Sequence, residues 1–291
     1  MTAAPSRSAA PQGGAVSDKS LDWLGQQILK NRFIPRPSAD RVFVGDGDFL
    51  LIGVEFLNWF VRLGNLKPSD RVLDIGCGIG RMALPLTQYL EAGSYDGVDI
   101  VADGVDWCTQ NITSRYEKFR FHHLDLGHAI YNPAGKKATV DLRLPFADGS
   151  FDFVFMTSVV THFHADDVRA YAREIRRVMA PGARLFFTAF MLNAPAREGL
   201  RAGKGAYSFD GAALEPEIYA DPANPLAGVA FDENYLLASF LAVGLRRNQQ
   251  AVYGRWSGRA TPGPSFQDIN VLGIDPSIRP ASPAIATPRG P

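Results

Sequence analysis

One stretch of eleven residues constrains the fold of this chain more than any other. Residues 71–81 read Arg-Val-Leu-Asp-Ile-Gly-Cys-Gly-Ile-Gly-Arg: a hydrophobic strand, a glycine-rich turn, and then the apolar spacing of a helix predicted at about 79–90. Because glycine lacks a Cβ, the backbone at Gly76 and Gly78 can approach a bound molecule closely. The helix would point its free N–H groups at the same place. The stretch therefore predicts a small-molecule site at the edge of a parallel sheet.

Hydrophobic periodicity predicts alternating strands and helices along the rest of the chain. Strands are predicted at 71–76, 95–99, 119–124, 151–156, 184–190, 245–254 and 267–273, and helices at 49–63 (capped by Asp48), 79–90, 102–114, 166–179 and 232–243. This order indicates an α/β fold with a parallel sheet and helices on both faces. Only 12 residues separate the last two predicted strands, so the final strand should return as a hairpin and run antiparallel.

The arrangement of the glycines indicates the kind of cofactor. After Asp74 the turn reads G-x-G-x-G, through Gly76, Gly78 and Gly80. A dinucleotide-binding fingerprint has a glycine at the position that Arg81 occupies here. The turn instead resembles the first motif of the class I S-adenosylmethionine (SAM)-dependent methyltransferases.

Two further segments are similar to the same family. Residues 144–154 read LPFADGSFDFV, and residues 178–185 read VMAPGARL, like the turns that lead into the family's fourth and fifth strands. The resemblance implies a Rossmann-like α/β fold with a seven-stranded, mostly parallel sheet and an antiparallel last strand. It also implies SAM as the cofactor.

The ends of the second and third strands carry acidic residues that suit a bound nucleoside. Asp99 could accept hydrogen bonds from both ribose hydroxyls, as its counterpart does in the family, with Ile100 packed on the adenine ring. The resemblance implies that Asp125 bonds the adenine amino group and that the Leu126 N–H reaches a ring nitrogen. A solvated aspartate at 99, or a turn aspartate at 125, is the alternative. The predicted cofactor residues are Asp74, Gly76, Cys77, Gly78, Gly80, Arg81, Asp99, Ile100, Asp125, Leu126 and Thr157.

The loop after the fourth strand, residues 157–164, should face the methyl group, because ligands of open α/β sheets bind beyond the carboxyl ends of the strands. His162 is the candidate general base, since imidazole titrates near neutral pH. A histidine that only lines the pocket is the alternative.

Substrate contacts are predicted from loops that overhang the same edge. They are Tyr131, in the loop 127–143, and Trp256 and Arg259, at the tip of the last hairpin. A tip that is merely solvated is the alternative for the last two. The long stretch 193–231 is predicted to be a substrate-facing insertion.

Composition excludes several classes of protein. The formal net charge of zero over 291 residues argues against binding to nucleic acid. The chain's two cysteines, Cys77 and Cys108, have neither metal-ligand nor disulfide spacing, and a reducing, cytoplasmic setting fits them. No clustered His, Asp and Glu set implies a metal, and no window is apolar enough for a membrane span.

The two ends of the chain are rich in Ala and Pro. Residues 1–19 and 275–291 are predicted to be disordered tails, without a secretory signal. Residues 20–274 then form one methyltransferase domain with an N-terminal helical extension.

The predicted activity is methyl transfer from SAM to an oxygen or nitrogen atom of a small-molecule acceptor, such as a metabolite, a sugar or a glycan-lipid. The intact glycine turn and Asp99 equally suit a non-catalytic SAM-binding module. A nicotinamide-dependent oxidoreductase is a third reading, against which Arg81 counts.

Overall fold

The computed structural model describes residues 18–45, 47–209 and 216–278. The helices are α1 (Asp18–Lys30), α2 (Phe49–Arg62), α3 (Ala83–Leu86), α4 (Ala102–Cys108), α5 (Ala165–Val178), α6 (Ala194–Arg201) and α7 (Glu233–Leu241). The strands are β1 (Arg71–Ile75), β2 (Ser94–Asp99), β3 (Phe119–His123), β4 (Phe151–Met156), β5 (Met179–Leu192), β6 (Glu217–Tyr219), β7 (Val229–Asp232), β8 (Leu245–Arg247) and β9 (Asp268–Ile274).

The predicted tails fall mostly outside the described residues, which omit 1–17 and 279–291. Helix α1 begins at Asp18, so it takes in the last two residues of the predicted N-terminal tail. At the other end, the Asp275 N–H donates to the carbonyl of Gly244 at 2.9 Å. The chain therefore stays attached to the sheet beyond β9.

The predicted α/β fold is confirmed. Strands β3, β2, β1, β4 and β5 lie side by side in that order and run parallel. Strand β9 pairs antiparallel with β5, and β8 pairs antiparallel with β9. Within the described residues the sheet has nine strands rather than seven, because the chain between β5 and α7 adds the short β6 and β7. The extra pairing arises because Val229–Phe231 is a buried apolar run.

Both faces of the sheet are covered by helices. Helices α5 and α7 contribute to the core on one face, and α1, α2 and α4 to the core on the other. Phe60 of α2 lies against Phe153, Phe155 and Phe186, with ring centroids 5.7, 4.4 and 4.9 Å away. Burying one such side chain stabilises the fold by about 1.5–3 kcal/mol. The N-terminal helices are therefore integral to the core.

The bounds of two predicted elements are wrong. The helix after the glycine turn is the single turn Ala83–Leu86 rather than 79–90. Pro85 has no N–H to donate to the carbonyl of Arg81, which instead packs against Gly53 of α2. So short a helix has little dipole to aim at a ligand.

The sixth predicted strand, 245–254, is only Leu245–Arg247. Beyond Arg247 the chain pairs with the backbone of β9 at an isolated bridge between Val252 and Ile269. The predicted long terminal hairpin is thus absent from the part of the chain that the structure describes. None of the helices there is long and apolar enough to cross a membrane.

Candidate functional site

A cavity of about 460 Å³ opens at the carboxyl ends of the parallel strands. Its walls come from the glycine turn, from the chain just after β2 and β4, and from the end of β5. A cover segment, defined as Phe43, Val44 and Gly45, contributes a further side. The strand-end rule predicts a ligand site at this edge of the sheet, and the cavity lies there.

Asp99 connects the end of β2 to the glycine turn. One of its carboxylate oxygens accepts a hydrogen bond from the Gly78 N–H at 2.6 Å, and the other accepts from the Val101 N–H at 2.8 Å. Burial raises the pKa of the Asp99 carboxyl, and the backbone N–H donors oppose that rise. A carboxylate oxygen accepts more than one hydrogen bond, so both oxygens can still bind hydroxyl donors. Ile100 lies beside Asp99 on the cavity wall, and its contact with the adenine ring stays a prediction.

The glycines of the turn have a packing role in addition to the predicted one. Gly76 and Gly78 have positive φ angles of 79° and 53°, which favour glycine. A Cβ at Gly76 would lie 2.3 Å from Val159 Cγ2, and one at Gly78 would lie 2.5 Å from Val44 Cγ1. The space that glycine leaves is therefore filled by protein side chains, and both glycines line the cavity with their backbone.

Two predicted cofactor residues lie beneath the turn and away from the cavity wall. Asp74 is fully buried and accepts a hydrogen bond from the Tyr95 hydroxyl at 2.6 Å. Burial raises the pKa of Asp74 well above its usual value. Gly80 packs against the helical segment that continues α4, where a Cβ would lie 2.7 Å from Ile112 Cδ1. Both residues shape the turn, which corrects the prediction that they contact the cofactor.

Asp125 and Leu126 are also displaced from the cavity wall. After β3 the chain turns back, and Leu126 forms a bridge with Lys137. Asp125 lines a separate recess of about 260 Å³, where its carboxylate accepts from the Lys136 N–H at 3.2 Å. Leu126 is a core residue. The predicted contacts to adenine do not match this placement.

Cys77, Arg81 and Thr157 line the cavity, and their contacts with the cofactor stay predictions. Arg81 donates to the carbonyl of Gly45 at 2.6 Å, so it fastens the cover segment to the turn. Its guanidinium also lies 5.5 Å from the ring centroid of Phe49. Burial lowers the pKa of Arg81. The sequence did not indicate the hydrogen bond between Arg81 and Gly45, because the two residues are 36 positions apart.

His162 lies on the cavity wall in a defined tautomer. Its Nδ1 is 2.7 Å from the carbonyl oxygen of Leu226. A carbonyl can only accept, so Nδ1 carries the proton and Nε2 of the neutral ring keeps its lone pair. Burial lowers the pKa of His162, and the bond to Leu226 opposes that effect. The site therefore holds a neutral imidazole.

Tyr131 lies on the cavity wall next to His162, as its substrate-binding prediction requires. Its hydroxyl is 3.4 Å from His162 Nε2. His128, which sequence reasoning missed, fixes both residues: its Nε2 donates to the carbonyl of His162 at 3.0 Å, and its Nδ1 accepts from the Tyr131 N–H at 3.3 Å. No local pattern reveals a hydrogen bond from a side chain to a backbone carbonyl 34 positions away.

The prediction that Trp256 and Arg259 form an accessible hairpin tip is wrong. Trp256 is 0% exposed, and its indole N–H donates to Asp268 at 2.9 Å. Arg259 is 8% exposed, lies 4.3 Å from the ring centroid of Tyr253 and donates to Asn193 at 3.1 Å. Since β8 ends at Arg247, the following chain folds onto β9 instead of extending as a ribbon. Neither residue lines the cavity.

Phe190, Tyr207 and Phe266 line the cavity and were not predicted as site residues. Phe190 precedes the end of β5 by two residues, so the strand-end rule could have found it. Tyr207 lies in the stretch 193–231, which was predicted to face the substrate. Phe266 lies outside regular elements, and no sequence pattern places it.

Within the described ranges, no group of three or more His, Cys, Asp and Glu side chains could hold a metal ion. Cys77 and Cys108 are free and buried. Burial raises the pKa of the Cys77 thiol well above its usual value. Neither thiol therefore has the character of a nucleophile.

Comparison with known proteins gives consistent matches. A family model described as a methyltransferase domain matches residues 73–187. An uncharacterized methyltransferase of Schizosaccharomyces pombe is 31% identical over 121 residues, 40% of this chain and 38% of that protein. Phosphoethanolamine N-methyltransferase 3 of Arabidopsis thaliana is 29% identical over 155 residues, 51% of this chain and 26% of that protein.

The aligned part is thus well under two thirds of either relative's length. Among solved structures, a Pyrococcus horikoshii protein aligns with a TM-score of 0.52 and 17% identity, covering 83% of this chain and 100% of that one. That likeness shows the fold.

Proposed function

Because the chain belongs to the class I SAM-dependent methyltransferases, with SAM as the cofactor, we propose that it transfers a methyl group to an oxygen or nitrogen atom of a small molecule. The acceptor classes considered are a metabolite, a sugar and a glycan-lipid. A matched relative is named for methyl transfer to the nitrogen of phosphoethanolamine. That name supports a small acceptor without specifying this chain's own.

The residues around the glycine turn suit the cofactor. We define the cofactor wall as Gly76, Cys77, Gly78, Asp99 and Ile100, all of which line the cavity. Asp99 would receive the ribose hydroxyls, because its buried carboxylate has capacity beyond its two backbone donors. Ile100 offers an apolar surface for a purine. Thr157, after β4, supplies a polar group on the same cavity.

SAM supplies an activated methyl group when bound, so the protein mainly has to position and deprotonate the acceptor. His162 would accept the acceptor's proton at Nε2, since its Nδ1 proton is held by the carbonyl of Leu226. Tyr131 would orient that acceptor beside Nε2. The aromatic residues around the cavity would exclude water from the reaction.

One observation supports this proposal most directly: a buried carboxylate at the end of β2 and a neutral imidazole after β4 line the same cavity. Calorimetric titration of the full chain with SAM and with NADH tests the binding step. We expect SAM to bind and NADH to bind much more weakly. The reverse order would contradict the proposal.

A second measurement separates an enzyme from a non-catalytic binding module. Formation of S-adenosylhomocysteine is followed with a panel of oxygen and nitrogen acceptors at saturating SAM. Acceptor-dependent product formation supports the proposal. SAM binding with no product from any acceptor would favour the non-catalytic module.

A further inference from the structure

Three of the cavity's side chains form a continuous aromatic wall, defined as Phe190, Tyr207 and Phe266. The ring centroid of Phe190 lies 5.6 Å from that of Tyr207 and 6.1 Å from that of Phe266. The ring centroids of Tyr207 and Phe266 are 6.2 Å apart. These separations are typical of interacting aromatic rings. All three side chains line the cavity, so they present one apolar surface to a ligand.

The aromatic wall is supported from behind. Trp256 lies 4.9 Å from Phe190, ring centroid to ring centroid, and is fully buried. Its indole is fixed by Asp268, which also accepts from the Met191 N–H at 2.8 Å and the Gly254 N–H at 2.7 Å. Because one buried carboxylate connects β5 to β9 and to the segment between β8 and β9, the wall is preorganised for a flat ligand.

Charge is scarce on the described cavity wall. The one carboxyl group among the described residues of that wall belongs to Asp99, and the one guanidinium to Arg81. Asp99 is hydrogen-bonded to Gly78, and Arg81 is hydrogen-bonded to the carbonyl of Gly45. Phosphate and carboxylate ligands need Arg, Lys or the start of a helix, and an anion buried without them is strongly disfavoured. Among the described residues, Arg81 is the one Arg or Lys on this wall and lies at the glycine turn, where it can serve the carboxylate of SAM. No second cation is then present on the described wall for a phosphate on the acceptor, so the wall favours an uncharged acceptor over a phosphate ester.

The state of His162 restricts the acceptor's reacting group. A neutral imidazole whose pKa is lowered by burial is a weak base. A phenolic hydroxyl, with an ordinary pKa of about 10, gives up its proton far more readily than an aliphatic alcohol does. Proton transfer to His162 is therefore most favourable from an aromatic hydroxyl.

We propose that the acceptor is an uncharged aromatic molecule carrying a hydroxyl group, held on the aromatic wall with its hydroxyl at His162 Nε2. This inference rests on the proposed methyltransferase function. In the reaction, the acceptor oxygen donates an electron pair to the methyl carbon of SAM. The proton of the acceptor's hydroxyl group passes to His162 Nε2. The electron pair of the breaking carbon–sulfur bond stays on sulfur, which leaves as a neutral thioether.

The test is calorimetric titration of the full chain, saturated with S-adenosylhomocysteine, with 2-naphthol, phosphoethanolamine and methyl glucoside. We expect 2-naphthol to bind at least tenfold more tightly than either of the others. With SAM in place of the product, 2-naphthol should also be methylated at oxygen. Tighter binding of phosphoethanolamine or methyl glucoside, or no binding of 2-naphthol, would overturn the inference.

Variants of Tyr207 connect the binding to the wall. Tyr207 is 47% exposed, so its substitution should leave the fold intact. We expect Tyr207→Ala to weaken 2-naphthol binding by about 2- to 10-fold, the size of one aromatic contact, and Tyr207→Phe to restore most of it. Phe33→Ala, at a 76% exposed ring away from the cavity, is the control and should bind like the unaltered chain. Equal binding by both Tyr207 variants would contradict the proposed contact.

The outcomes also distinguish this inference from the function on which it rests. Absence of SAM binding, or of methyl transfer to any acceptor, would count against the proposed function. Methyl transfer to phosphoethanolamine but not to 2-naphthol would leave that function standing and remove the aromatic acceptor.

Discussion

The cofactor wall and the aromatic wall share one cavity but are built in different ways. The cofactor wall is formed largely by backbone, and its key contact joins the Gly78 N–H to Asp99 across 21 residues. The aromatic wall consists of side chains from β5, from the segment after α6 and from the residue pair before β9. The cofactor wall is fixed by hydrogen bonds between the turn after β1 and the end of β2. The aromatic wall is fixed by packing between segments that are distant in sequence. We therefore expect the first to determine cofactor affinity and the second to determine acceptor choice.

The largest expected effect is on turnover, from a substitution at His162, which lines the cavity outside both walls. His162→Ala should lower kcat by about 100- to 10,000-fold, the usual contribution of a general base. SAM affinity should change by less than about twofold, because His162 belongs to neither wall as defined. Steady-state kinetics and calorimetry on the same variant measure both quantities. An equal loss of turnover and of SAM affinity would favour a packing role for His162.

The support behind the aromatic wall should be essential for stability. Trp256→Ala should lower the free energy of unfolding by about 3–5 kcal/mol, the cost of deleting a large buried aromatic side chain. Trp23→Ala, at a 63% exposed site, should change it by less than about 0.5 kcal/mol. Urea denaturation measures both variants. A similar small change in each would show that Trp256 does not hold the wall.

Paired aspartate variants test the cofactor wall. Asp99→Ala should weaken SAM binding by about 1.5–3 kcal/mol, or roughly 10- to 150-fold, through loss of hydrogen bonds to a charged group. Asp125→Ala should leave SAM affinity within about twofold, since Asp125 lies in a separate recess. Thermal denaturation of both variants controls for damage to the turn. Equal weakening by both substitutions would return Asp125 to the cofactor site and contradict the placement described here.

The pH dependence of kcat/KM should report His162. Only the neutral ring can accept a proton, and burial lowers the pKa of His162 below its ordinary value of about 6.5. Activity should therefore persist as the pH falls through 6.5 and then decline about tenfold per unit below the lowered pKa. The His162→Ala variant should lack this acid limb. An inflection above 6.5 in the unaltered chain would argue against His162 as the base.

The smallest expected effect is at Tyr131. Its hydroxyl contact to His162 is long, at 3.4 Å, so Tyr131→Phe should lower kcat/KM by about 2- to 10-fold, the range of one ordinary hydrogen bond. The loss should appear mainly in KM if Tyr131 orients the acceptor. A fall in kcat comparable with that of His162→Ala would instead make Tyr131 the proton acceptor.

Sequence reasoning succeeded where the determinants are local. The strand and turn at 71–78 and the position of Asp99 follow from hydrophobic runs and glycine spacing, which neighbouring residues specify. The cap of α2 was also confirmed, because the Asp48 side chain accepts from the Leu51 N–H at 2.7 Å. These features depend on a few consecutive residues and so can be predicted without knowledge of tertiary structure.

The rest depended on contacts that sequence spacing does not reveal. The predicted tip at Trp256 failed because a buried carboxylate, Asp268, draws the indole inward. The cover segment was missed because its attachment is a bond from Arg81 to a backbone carbonyl 36 residues earlier. Strand β7 was missed because its buried run of three residues is too short to stand out by periodicity.

A crystal structure of the full chain with S-adenosylhomocysteine would test the central claim most directly. The account predicts the ribose hydroxyls within hydrogen-bonding distance of the Asp99 carboxylate, with the sulfur atom directed towards His162. The compound bound elsewhere on the surface, or no compound in the cavity at saturating ligand, would contradict it.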